Sequence, residues 1–125
     1  MSAVRRDGHR ATADLDVRWE LGSPWRYATM AYTGDTDTCD QLDELMTGAH
    51  LVLADAAFVD GRDTVPDIHL SGRRAAEAAV RAGGVRRLML THIPAWNDPE
   101  VCREQAAAVW PGEVELAQAD ATYCL

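Results

Sequence analysis

At 125 residues, 47% of them hydrophobic, the chain has the size of one domain and enough apolar material for a modest core. Its formal net charge of −8, from 20 acids against 12 arginines and no lysine, argues against a sequence-independent grip on nucleic-acid phosphates. Three cysteines (Cys39, Cys102, Cys124) with no C-x-x-C spacing, no apolar run near the roughly 20 residues of a membrane helix, and an opening "MSAVRRDGHR" without a secretory apolar stretch predict a cytoplasmic chain with reduced thiols and no membrane partner.

Residues 12–20, "TADLDVRWE", and 26–33, "RYATMAYT", alternate as strands, with "LGSPW" between them as a hairpin turn. After Gly34 the spacing of Leu42, Leu45 and Met46 predicts a helix from about Asp37 to Thr47, ended by Gly48. "HLVLADA" (50–56) reads as a buried strand, and the polar loop that follows, "FVDGRDTVPDIH", is long enough to suggest a function. Ser71 is positioned to cap the next helix, whose stripe is Ala75, Ala76, Ala79 and Val80 and whose stop is Gly83-Gly84. "VRRLMLT" (85–91) is another buried strand. Asp98 followed by Pro99 is the strongest helix start in the chain, and the tail "VELAQADATYCL" supplies one or two short strands.

This alternation builds an α/β domain with parallel strands. In such sheets the residues just beyond the carboxyl ends of strands gather along one edge, where ligands bind. Gly34 would turn the backbone sharply there and present Asp35; Asp55 and His92 end the next two strands at the same edge. A carboxylate oxygen and an imidazole nitrogen suit zinc and the harder divalent ions. Asp55 reads equally as an orienting residue behind a ligand or as a strand-end acid satisfied by backbone amides. His69 ends the long loop directly before a helix start, where a fixed imidazole could donate a proton. His50 opens a strand with no partner at useful spacing and reads as structural. Asp37 and Asp40 read as first-turn acids that offset a helix's positive end, and Cys39 has no matched base. Of the four tryptophans (Trp19, Trp25, Trp96, Trp110), Trp96 stands out because its loop follows His92 and can wall a pocket.

In order, "YTGDTDTCDQLDEL", "GAHLVLADAAF", "HLSGRRAAEAAVRAGGVRRLMLTHIPAW" and "DPEVCREQAAAVWPGEVELA" closely resemble the C-terminal half of metallo-β-lactamase-fold hydrolases, nearest the ribonuclease Z-like and cyclic-nucleotide phosphodiesterase-like branch. The resemblance covers roughly residues 28–125 and rests on a G-D-T turn, an H-L-S element and an L-T-H-I element in family order. It implies half of a four-layer αββα sandwich, a mixed sheet with helices packed on one face. It also implies that Asp35 bridges two metal ions, zinc or alternatively manganese, that His92 and His9 ligate metal, and that His69 assists proton transfer to the leaving group. The implied substrates are RNA or cyclic-nucleotide phosphodiesters, although lactones and thioesters are also handled on this scaffold.

Two departures stand beside the match. No two histidines lie two residues apart, so the H-x-H-x-D-H element that supplies most of the family's metal ligands is absent, and Asp55 stands where these relatives usually have Glu. A single partial domain over residues 1–125, cut from a longer hydrolase and weakly active or inactive alone, is the leading expectation. The alternative is a non-catalytic scaffold or oligomerisation module on the same fold, with a homodimer formed through the sheet face that the missing half would cover. A receiver-like or flavodoxin-like domain fits less well, since a receiver places a lysine late and this chain has none.

Overall fold

The computed structural model describes residues 2–5, 9–15 and 26–125, with side chains from residue 28 onward. Its strands are β1 (Ser2–Arg5), β2 (His9–Leu15), β3 (Arg26–Tyr32), β4 (Leu51–Asp55), β5 (Leu88–Thr91) and β6 (Val114–Leu116). Among the described residues three helices, α1 (Gln41–Met46), α2 (Gly72–Ala82) and α3 (Pro99–Ala107), make the crossovers between β3 and β4, β4 and β5, and β5 and β6. The spatial order of the sheet is the sequence order, β1 to β6. β1, β2 and β3 form an antiparallel meander, and β3 to β6 run parallel.

The strand alternation separates two faces. Ala31, Val52, Ala54, Leu88 and Leu90 point toward the helices and join Leu42, Met46, Ala75, Ala79, Cys102 and Ala106 in one buried core. Met30, Leu51, Leu53 and Met89 line a shallow apolar groove outside that core, with Ala117, Tyr123 and Leu125 of the tail against them. The expectation of a mixed sheet with helices on one face agrees with this arrangement.

α2 begins where Ser71 Oγ accepts the Arg74 N–H at 3.1 Å, a cap worth about 1 kcal/mol. Alanines let it sit close to its neighbours: Ala75, Ala76, Ala78 and Ala79 are all buried. Ala78 replaces Val80 in the predicted stripe, because Val80 is 50% exposed. Gly72 is required by the crossing with α3, where a Cβ would stand 2.1 Å from the Cys102 carbonyl oxygen. α3 starts as predicted, with Pro99 in the first turn and Asp98 accepting the Glu100 N–H at 2.9 Å.

Other boundaries shift. The first expected strand begins at His9, three residues early, and pairs with an unexpected β1 in the register Arg5↔His9. The Asp7-Gly8 pair between them is a hairpin signal in the sequence itself. Residues 16–20 of that expected strand and the "LGSPW" turn lie outside the described residues. α1 starts at Gln41 and not near Asp37, because Asp37 is drawn into tertiary bonds given below. β5 starts at Leu88 because Gly83 and Gly84 take positive φ and residues 83–87 tie back to Gly48, Ala49 and Val52 through backbone hydrogen bonds.

Candidate metal centre

Gly34 has φ +65°, a backbone state that a residue lacking Cβ adopts freely, and it turns the chain out of β3 into Asp35. His92 leaves β5 with φ +60° although it is not glycine, so the strand end holds it in a conformation that costs about 1–3 kcal/mol. The register Asp55↔Thr91 sets the ends of β4 and β5 side by side. These local features bring Asp35, Asp55, His69 and His92 together, with one ligand atom from each lying within 4.8 Å of the others.

Asp55 is the centre of the group and is 1% exposed. A buried carboxylate must be fully partnered, and this one is. Oδ1 accepts the Ala57 N–H at 2.9 Å and lies 3.4 Å from His92 Nδ1. Oδ2 accepts the Thr36 N–H at 3.2 Å and lies 2.8 Å from His69 Nδ1. Its own N–H donates to Thr33 Oγ1 at 3.0 Å. One side chain thereby ties the loops after β3, β4 and β5 and the end of the long loop to each other.

The distances sort the pairs. Two ligands of a tetrahedral zinc at about 2.0–2.2 Å stand about 3.3 Å apart. His92 Nδ1 to Asp35 Oδ1 at 3.2 Å and to Asp55 Oδ1 at 3.4 Å match that edge. The 2.8 Å pair of His69 Nδ1 and Asp55 Oδ2 is shorter than that edge and is a hydrogen bond, which leaves Nε2 as the second ring nitrogen of His69. His69 is held on a second side by Phe58, whose ring meets it edge-on at 5.0 Å between centroids. The donor set of carboxylate oxygens and imidazoles therefore fits a divalent cation, and Asp35 and His92, each about half exposed, leave it open to solvent on one side.

The long loop 58–69 is fastened as well. Val59 N–H donates to Asp63, Asp60 N–H donates to Gln105 at 3.1 Å, and Arg62 Nη1 donates to Asn97 at 2.8 Å. Asp37 closes it: the carboxylate accepts from Thr38 N–H, Asp67 N–H and the Arg74 guanidinium. Burial pushes the Asp37 carboxyl up, but those three donors outweigh it and hold the group below the usual carboxylate range. Asp37 is thus a loop clamp and not the helix-end acid read from the sequence; Asp40 occupies the N-cap position without a side-chain cap bond.

Three of the four expected site residues meet here: Asp35, His92 and His69. His9 lies at the same edge by backbone register, opposite Tyr32, and its side chain is outside the described residues. His50 is structural as expected, its Nδ1 accepting the Thr29 N–H at 3.1 Å. The reading from sequence placed Asp55 at this edge and left it open between an orienting residue and a strand-end acid satisfied by backbone amides, without making it the centre of the group. The signal was available: an acid in the apolar run "LVLADAAF" has to be buried and partnered.

The chain belongs to the beta-lactamase superfamily domain family, whose model matches residues 5–93. Within it, this is a partial metallo-β-lactamase-fold protein of ribonuclease Z-like type. It is 43% identical over 96 residues to an uncharacterised protein of Mycobacterium tuberculosis, a match covering 77% of this chain and 35% of that one. It is 36% identical over 94 residues to a ribonuclease Z of Methanothermobacter thermautotrophicus, covering 73% of this chain and 30% of the relative. The metallo-beta-lactamase fold protein YhfI of Bacillus subtilis superposes with a TM-score of 0.69 at 21% identity, covering 94% of this chain and 50% of that structure. The chain thus spans about a third of the length of these curated relatives and carries half of the fold.

Proposed function

We propose that this chain supplies one metal-holding and proton-transferring edge of a phosphodiester hydrolase acting on RNA or a nucleotide, and that alone it is weakly active or inactive. The observation that carries the proposal is the Asp35–Asp55–His69–His92 group with its two classes of distance. Asp35 would bridge two cations, with His92 and His9 as further ligands. Zinc or manganese, when bound, would lower the pKa of a water and stabilise charge on the phosphoryl oxygens. Asp55 orients His69 through Nδ1 and stabilises its imidazolium, so that Nε2–H can protonate the departing oxygen. The ribonuclease Z relatives support the phosphodiester reading, and a cytoplasmic setting goes with it; no described helix is long and apolar enough to cross a membrane.

Calorimetric titration of the purified chain with zinc and with manganese, paired with hydrolysis of bis(p-nitrophenyl) phosphate, tests the proposal. Weak binding that Asp35→Asn and His92→Asn abolish, with slow turnover or none, is expected. Tight binding of two ions with clear turnover would refute the incompleteness of the site.

The apolar groove of Met30, Leu51, Leu53 and Met89 favours a second reading, a non-catalytic module that self-associates through this face. The coding sequence directly upstream separates the two: an in-frame H-x-H-x-D-H supports the hydrolase, and a start codon without one supports the module.

A further inference from the structure

Trp96 is 81% exposed, more than any other large apolar side chain among the described residues, and it follows His92 by four positions. Single exposed hydrophobic residues are ordinary, but these are not scattered. Three of the seven large apolar residues that stand exposed, Val65, Ile68 and Trp96, lie in the two loops that carry His69 and His92. The turn bearing Trp96 is also built. Asn97 N–H donates to Pro94 O at 2.9 Å, and the Asn97 side chain, in a residue only 6% exposed, donates to Ala57 O at 2.9 Å and accepts from Arg62. The same Ala57 donates its N–H to Asp55 Oδ1. One residue therefore anchors both the centre of the metal-type cluster and the turn that holds the indole out.

The charges around the turn are already committed. Arg62 of the long loop is paired with Asp63, and Arg74 in the first turn of α2 with Asp37 and Asp60, so both arginines already have carboxylate partners. What these loops hold out to a substrate is therefore apolar surface, Trp96 above all, more than free positive charge. We propose that Trp96 is a stacking platform for the nucleobase next to the scissile phosphate, which gives the site a nucleotide-binding subsite. An indole face suits this role because every base has a π-face of matching size, and stacking needs no charge.

This subsite rests on the phosphodiester reading, and three probes separate the two. All three carry ribose; adenosine adds the base without the phosphate, ribose 5-phosphate the phosphate without the base, and AMP both. Binding to the full chain with manganese present is followed by the indole N–H resonance that Trp96→Phe removes, and by the ribose signals of each ligand. Trp96→Ala should weaken adenosine and AMP roughly 5- to 100-fold, the range for loss of one stacked base, and leave ribose 5-phosphate unchanged. Trp96→Phe should keep most of the affinity. Adenosine binding that depends on Trp96, beside ribose 5-phosphate binding indifferent to manganese and to Asp35→Asn, would support the platform while removing the metal phosphodiesterase reading. Equal binding of AMP and adenosine by wild type and Trp96→Ala, or no binding of either by wild type, overturns the platform whatever the metal does.

Discussion

His92 combines an imidazole near two carboxylates with a left-handed backbone. The strain is the part of the arrangement that substitution can isolate. His92→Gly and His92→Ala both delete the imidazole, but only glycine relaxes at φ +60°. The glycine variant should be more stable than the alanine variant by about 1 kcal/mol in denaturant unfolding, while both lose cation binding. Equal stabilities would mean that the strand end imposes no strain on His92. Asp55 shows what single-sequence reading leaves open at this scale: its position at the edge was legible, its partners were not. Asp35 and His92 were visible because each follows a recognisable turn or strand end. The partners of Asp55 lie up to 37 positions away, as His92 does, and no local pattern links them.

At the scale of elements, the close passage of α2 over α3 depends on one missing methyl group. Gly72→Ala would drive a Cβ into the rigid backbone oxygen of Cys102, and a loss of about 2–3 kcal/mol is expected, read from the urea midpoint. A midpoint unchanged within error would show that the helices can part without cost. The β5–β6 pair carries an acid-sensitive link. Arg87 donates to both Glu115 oxygens, at 2.8 and 2.9 Å, and this bond holds the Glu115 carboxyl below its ordinary value against the opposing effect of burial. Glu115 binds its proton more weakly folded than unfolded, so its stabilisation is complete above the ordinary value of 4.5 and fades as pH falls through the lowered one. Partly exposed, the pair contributes on the order of 1 kcal/mol or less, and Glu115→Gln should flatten the acid limb of the stability curve below about pH 4.5. Helices α2 and α3 and strands β4 and β5 were legible because caps, glycine stops and apolar runs are local signals. The start of α1 was not, because Arg74, 37 residues on, recruits the acid that reads as its first turn.

For the whole molecule, the two-faced sheet decides how the chain meets others. One face is sealed by helices; on the other, Leu51 and Met89 are themselves buried, and Met30 and Leu53 are only partly covered, with part of the tail against them. Sedimentation should reveal concentration-dependent dimers that Leu53→Lys disperses, and a strictly monomeric wild type would count against self-association. A sheet whose spatial order repeats its sequence order has a further consequence, for how it forms. No late strand has to be inserted between two early ones, so each can add to an edge already present. The parallel partners are nonetheless far apart in sequence, Val52 with Leu88 and Leu88 with Val114, so each addition closes a long crossover and slows assembly. The cluster depends on one of these long closures: the pairing that sets Thr91 beside Asp55 is also what brings His92 to the group, so the site cannot be complete before that crossover is closed.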